Sequence, residues 1–102
     1  MAQFDVFKNP RGGLYPLLLD VQTDTLARLT TRIVVPLVQK KKYDERPITR
    51  LNPTVAIAGV DYVLLFQAMA SAPASILSDR VASLDRRRPD LIAAIDLLFT
   101  GT

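Results

Sequence analysis

Pro89-Asp90-Leu91-Ile92-Ala93-Ala94-Ile95-Asp96-Leu97-Leu98-Phe99-Thr100-Gly101 is the stretch from which the fold is most readily read. Leu91, Ala94, Ile95, Leu98 and Phe99 recur at i, i+3, i+4, i+7 and i+8, the spacing that lines apolar side chains along one face of an α-helix. Pro89 suits the first turn, where its missing N–H costs least. Asp90 sits near the positive end of the helix dipole, and Gly101 is placed as the stop. Phe99 has two readings of equal weight on this pattern: a core residue closing the helix, or an interface anchor at an accessible end.

Upstream, the signals change from helical to extended. Residues 53–58 and 60–69 flank Gly59 and predict a hairpin, with Thr54, Val55 and Ile57 facing Tyr62, Val63 and Leu65. Residues 32–38 form a third strand of strong β character through Ile33, Val34 and Val35. Residues 14–22 are almost continuously apolar, which predicts a strand buried on both faces, with Pro16 at an edge or entry position. Residues 3–7 begin the chain as a strand, and Asn9-Pro10-Arg11-Gly12-Gly13 breaks it. Residues 23–31 read as a loop, residues 39–47 as an exposed polar loop, and residues 70–84 as irregular or briefly helical. Short strands with one terminal helix predict a compact barrel or a twisted sheet closed by that helix.

The length, 102 residues, suits a single domain over the whole chain. Nearly half the residues are hydrophobic, ample for one core and for a subunit interface. The chain has no cysteine and no histidine. It therefore lacks thiolate metal ligands and the commonest general base, and no metal-ligand spacing or phosphate-binding loop is present. A non-enzyme with no cofactor is expected. No signal peptide or membrane-spanning run is visible, and a cytoplasmic location is expected. The net charge of +3 favours acidic partners.

Two basic runs stand out. Lys40-Lys41-Lys42 reads as a solvated loop more readily than as a nucleic-acid contact. Arg86-Arg87-Arg88 lies at the helix N-terminal end, where cations oppose the dipole, and so calls for an acidic neighbour or partner. Among the carboxylates, Asp20 and Asp24 are close enough in sequence to approach one another, but surface solvation is the favoured reading.

Taken in order, several segments resemble the CcdB family of toxins from bacterial toxin–antitoxin pairs: Gln3-Phe4-Asp5-Val6-Phe7, Tyr15 onward into Asp20-Val21-Gln22-Thr23-Asp24, Arg32-Ile33-Val34-Val35-Pro36-Leu37, Met69-Ala70-Ser71-Ala72-Pro73, and Ala94 onward to Thr102. The resemblance implies a mainly β fold: a small Src-homology-3-like barrel with an additional small antiparallel sheet and one C-terminal α-helix. It implies a homodimer, with Val21, Ile95 and Leu98 at the interface. It also implies a poison that binds the A subunit of DNA gyrase and traps the cleaved gyrase–DNA complex. A CcdA-like antitoxin would neutralise it, and operator DNA would be met only through that antitoxin.

The resemblance maps gyrase binding onto Thr25, Leu26, Asp96, Phe99, Thr100, Gly101 and Thr102. It maps antitoxin binding onto Lys8, Asn9, Arg11, Lys40, Lys41, Lys42 and Arg46. Thr100 stands where the plasmid-type toxin has a tryptophan, Thr102 and Thr25 replace isoleucines, and Asp96 replaces an asparagine. A ribonuclease-type toxin on a related barrel, and a CcdB-like protein that has lost or changed its gyrase target, are the alternatives.

Overall fold

The computed structural model describes residues 2–102. Seven strands and one helix follow in order: β1 (Asp5–Lys8), β2 (Leu17–Asp20), β3 (Thr31–Gln39), β4 (Thr54–Ile57), β5 (Val60–Leu64), β6 (Ala70–Pro73), β7 (Arg80–Ser83) and α1 (Arg88–Thr100). All strand pairings are antiparallel, and the sheet runs β4-β5-β3-β2-β1-β7 with β6 also paired to β3. The sheet curls into a half-barrel with α1 as the single α-helix among the described residues. The β4–β5 hairpin, the expected smaller sheet, is continuous with the larger one through β3.

β3 is the hub. One edge pairs with β2 from Val34 to Leu37. The other edge is divided, with Thr31 to Val34 meeting β6 and Leu37 to Gln39 meeting β5. Pro36 lies at the changeover. In an extended strand a residue's N and O point to the same side. The Pro36 carbonyl accepts from Leu65 N–H at 3.1 Å, so its ring nitrogen also faces the gap between β6 and β5. A proline in a central strand costs no ladder hydrogen bond there.

β2 is buried on both faces, as its apolar run predicts, but spans only Leu17–Asp20 of the expected 14–22, with Leu14 exposed before it. Leu17 and Leu19 join the main core with Phe4, Val6, Val35, Leu37, Leu64 and Phe66, while Leu18 faces a second cluster with Phe7, Val34, Ala72 and Leu77. The hairpin forms around Gly59 with Thr54 opposite Val63 and Val55 opposite Tyr62, but Ile57 meets Val60, and β5 ends at Leu64, short of the expected Leu65 and Met69, where a 3-10 turn at Phe66–Ala68 takes over. Ala58 (φ 51°) and Gly59 (φ 79°) make its two-residue loop, both in the left-handed region that such turns require.

Three further expectations change. Residues 70–84 hold two strands, β6 and β7, around a 3-10 turn at Ala74–Ile76. Ala-Ser-Ala-Pro has little intrinsic β preference; its extended state comes from pairing with β3. The first strand starts at Asp5, because Phe4 adopts φ 69°, rare for a bulky residue. Phe4 is held there by its N–H to the Asp20 carbonyl at 2.6 Å and by Leu84 N–H to its own carbonyl at 2.8 Å.

Asp20 is the third correction. It is fully buried beside the equally buried Arg32, not solvated at the surface. Arg32 donates from Nε and Nη2 to Asp20 Oδ2 at 3.0 and 2.6 Å, and from Nη2 to the Gln22 carbonyl at 3.2 Å. Gln22 N–H donates to Asp20 Oδ1 at 3.1 Å. Asp24 stays exposed, 3.7 Å from Arg32, and accepts from Gln3 N–H at 2.8 Å. Burial pushes the Asp20 carboxyl up from its ordinary value, against the Arg32 hydrogen bond, the Gln22 N–H and the Arg32 charge. Taking both charges out of water offsets much of their attraction, so a buried pair of this kind adds little stability as a pair. Removing one member is different, because it strands a buried charge. Asp20→Asn is expected to lower unfolding free energy by about 3–5 kcal/mol in urea titrations, and the double change Asp20→Leu with Arg32→Met to recover most of that loss.

Candidate functional surface at the end of the helix

The helix begins and ends as its sequence demands. Pro89 and Asp90 occupy the first turn. Gly101 takes a left-handed conformation (φ 77°), and its N–H returns to the Leu97 carbonyl at 3.1 Å. The arginines before it are partly answered from within the chain. Arg87 meets Asp90 at 3.0 Å, and Arg88 meets Asp85 at 3.9 Å. Arg88 also donates to Gln3 Oε1 and lies 5.1 Å from the centre of the Phe4 ring.

The apolar stripe of α1 divides along its length. Leu91 and Ala94 are fully buried in the main core, and Ile92 and Ile95 are half-buried against it. One turn later the same stripe leaves the core: Leu98 is 36% exposed and Phe99 68%. The two readings of Phe99 are thus separated, since its ring is presented to solvent. Thr100, Gly101 and Thr102 continue this exposed end, with Asp96 on the same last turns. Here the Thr100 hydroxyl donates to the Asp96 carbonyl at 2.7 Å and lies 2.8 Å from the Thr102 hydroxyl.

Thr25 and Leu26 are also exposed, in a 3-10 turn at Asp24–Leu26 whose Thr23 hydroxyl accepts from Thr25 N–H at 3.3 Å. That turn rests on the Asp20–Arg32 network through Gln22, which donates to the Leu26 and Thr31 carbonyls and accepts from Ile33 N–H. Val21, by contrast, is 8% exposed and sits within the main core.

The two basic loops lie elsewhere. Lys8 is exposed and 3.7 Å from Asp79. Asn9 is occupied internally, with its side chain donating to the Tyr15 carbonyl at 2.8 Å and accepting from Arg11 N–H at 3.1 Å. Lys40–Lys42 is a 3-10 turn, exposed like Arg11 and Arg46. Both loops contribute walls to one open cleft of about 330 Å³, Leu14 and Tyr15 from the first and Lys42 and Tyr43 from the second, over Val38 and Leu65. Tyr15 and Tyr43 escaped the sequence reading. Each is half-buried against a small cluster of Val38, Val63 and Leu65, a contact set by pairing across β3 and β5.

A curled antiparallel sheet and one C-terminal helix whose end exposes Phe99 define a small, mainly β protein. The family model described as CcdB protein matches residues 3–101, and the chain belongs to that family, the toxins of toxin–antitoxin pairs. Among the described residues, no helix is long and apolar enough to cross a membrane.

The division of α1 makes a direct prediction. Leu91→Ala should cost about 2–5 kcal/mol of stability, as core truncations do. Phe99→Ala should stay within about 0.5 kcal/mol of the parent chain. Chemical denaturation of the two variants checks this contrast, and equal losses would place Phe99 in the core.

Proposed function

We propose that this toxin acts by binding the A subunit of DNA gyrase through the end of α1 and trapping the cleaved gyrase–DNA complex, without catalysing a reaction itself. The observation that carries the reading is the 68% exposure of Phe99, an aromatic group on a helix whose Leu91 and Ala94 are fully buried. Aromatic anchors that protrude from a rigid element are the usual centres of protein–protein recognition. Thr25, Leu26, Asp96, Thr100, Gly101 and Thr102 form the rest of the proposed contact surface. With Thr100 in place of a tryptophan, Phe99 is the main aromatic anchor there, and the absent ring corresponds to a loss of about 2 kcal/mol, or roughly thirtyfold in affinity.

The same reading makes the chain a cytoplasmic homodimer, with Val21, Ile95 and Leu98 at the subunit interface. A CcdA-like antitoxin engages the surface formed by Lys8, Asn9, Arg11, Lys40, Lys41, Lys42 and Arg46. Its acidic, polar tail complements these cations, and the cleft beside Tyr15 and Tyr43 receives its apolar side chains. Operator DNA is met only through that antitoxin.

One experiment tests the reading. The full chain and a variant lacking Thr100, Gly101 and Thr102 are expressed in a susceptible bacterium, with gyrase-linked DNA cleavage as the readout. Cleavage is expected from the full chain and not from the shortened one, while both sediment at dimer mass. Persisting cleavage in the shortened chain would place the active surface elsewhere, and a monomer mass for both would remove the proposed interface.

A further inference from the structure

We propose that Arg50 is a positioning residue that holds Thr100, Gly101 and Thr102 in the shape the target meets. The inference rests on the reading of the α1 end as the target-facing surface and adds to it a residue far away in sequence. Arg50 Nη2 donates to the Thr102 carbonyl at 2.6 Å, across 52 residues of chain. A charged donor makes such a bond shorter and stronger than a neutral one.

Arg50 is delivered by a rigid turn. Its backbone has φ 70°, a left-handed conformation that a non-glycine residue keeps only when its surroundings demand it. The demand comes from Asn52, which is 4% exposed. Asn52 N–H donates to the Ile48 carbonyl at 2.9 Å, and its side chain accepts from Ile48 N–H at 3.0 Å. The same side chain donates to the Leu64 carbonyl at 3.0 Å and to Gln67 Oε1 at 2.7 Å, bolting the turn to the end of β5. Arg50 also lines a cleft of about 260 Å³ together with Pro53, Arg87, Asp90 and Ala93. Its one acid, Asp90, is engaged by Arg87 at 3.0 Å.

The partner segment is shaped to be caught. Gly101 turns left-handed, its N–H is fixed to Leu97, and the Thr100 hydroxyl bridges Asp96 and Thr102. These bonds fix Thr100 and Gly101 but leave the Thr102 main chain with one further hold, Arg50. A segment beyond a helix stop ordinarily frays. Held at Thr102, it meets its target already ordered, and less freedom is lost on binding.

The test uses the full chain as wild type, Arg50→Ala and Arg50→Lys. The readouts are ¹⁵N relaxation at Gly101 and Thr102, the urea unfolding midpoint, and affinity for the purified A subunit of DNA gyrase. Arg50→Ala is expected to raise the mobility of the Thr102 amide, with the Gly101 amide still held by Leu97, and to lower the unfolding midpoint by no more than the loss of this one hydrogen bond. Its affinity should drop about tenfold, the share of one hydrogen bond to a charged group. Arg50→Lys should recover part of both the order and the affinity. Unchanged amide order in Arg50→Ala would overturn the proposal, as would loosened amides with undiminished affinity. A wild-type chain that fails to bind the A subunit of DNA gyrase would overturn the target reading and the role of Arg50 with it. The relaxation data distinguish that result from failure of the clamp itself.

Discussion

Burial of Leu91 and Ala94 in the core of the sheet governs what this molecule presents at its surface. Burying a leucine side chain contributes about 1.5–3 kcal/mol, and Ala94 is buried in the same cluster. Those two residues fix where α1 lies. Because the stripe continues past them, they also fix what is left over: one more turn of apolar residues, progressively exposed and ending in Phe99 at 68%. The exposed end is therefore a consequence of where the helix is anchored.

The sheet that receives the helix is organised by β3. Its two partners on one edge meet at Pro36, and its other edge carries the register with β2 that places Asp20 beside Val34. That register brings Asp20 to Arg32 and, through Gln22 and Asp24, ties the 3-10 turn carrying Thr25 and Leu26 to the sheet below. The same sheet supports Asn52 through the Leu64 carbonyl and so presents Arg50 to Thr102. Each of these attachments joins segments distant in sequence, Arg32 to Asp20 and Arg50 to Thr102.

Much of this was legible in the residues alone, and for identifiable reasons. The helix declared itself through its period and through Pro89 and Gly101, the hairpin through Gly59, and β2 through its unbroken apolar run. These are local signals. What escaped depends on contacts between distant segments. β6 and β7 are extended because β3 and β1 pair with them, not because their side chains prefer it. The left-handed Phe4 is imposed by two backbone hydrogen bonds from elsewhere. Asp20 and Arg32 look like ordinary surface charges until the fold buries them together. At the candidate surface, the exposed Phe99 was one of two open readings, while Arg50, Tyr15 and Tyr43 carried no local signal.

Whether the uncovered last turn of α1 is the face that meets the target can be decided by hydroxyl-radical footprinting. The free chain is compared with the chain saturated with the A subunit of DNA gyrase. Strong labelling of Phe99 in the free chain, lost on complex formation together with labelling of Leu26, is the result predicted. Phe99 labelled equally in both states, with protection confined to other surfaces, would contradict it.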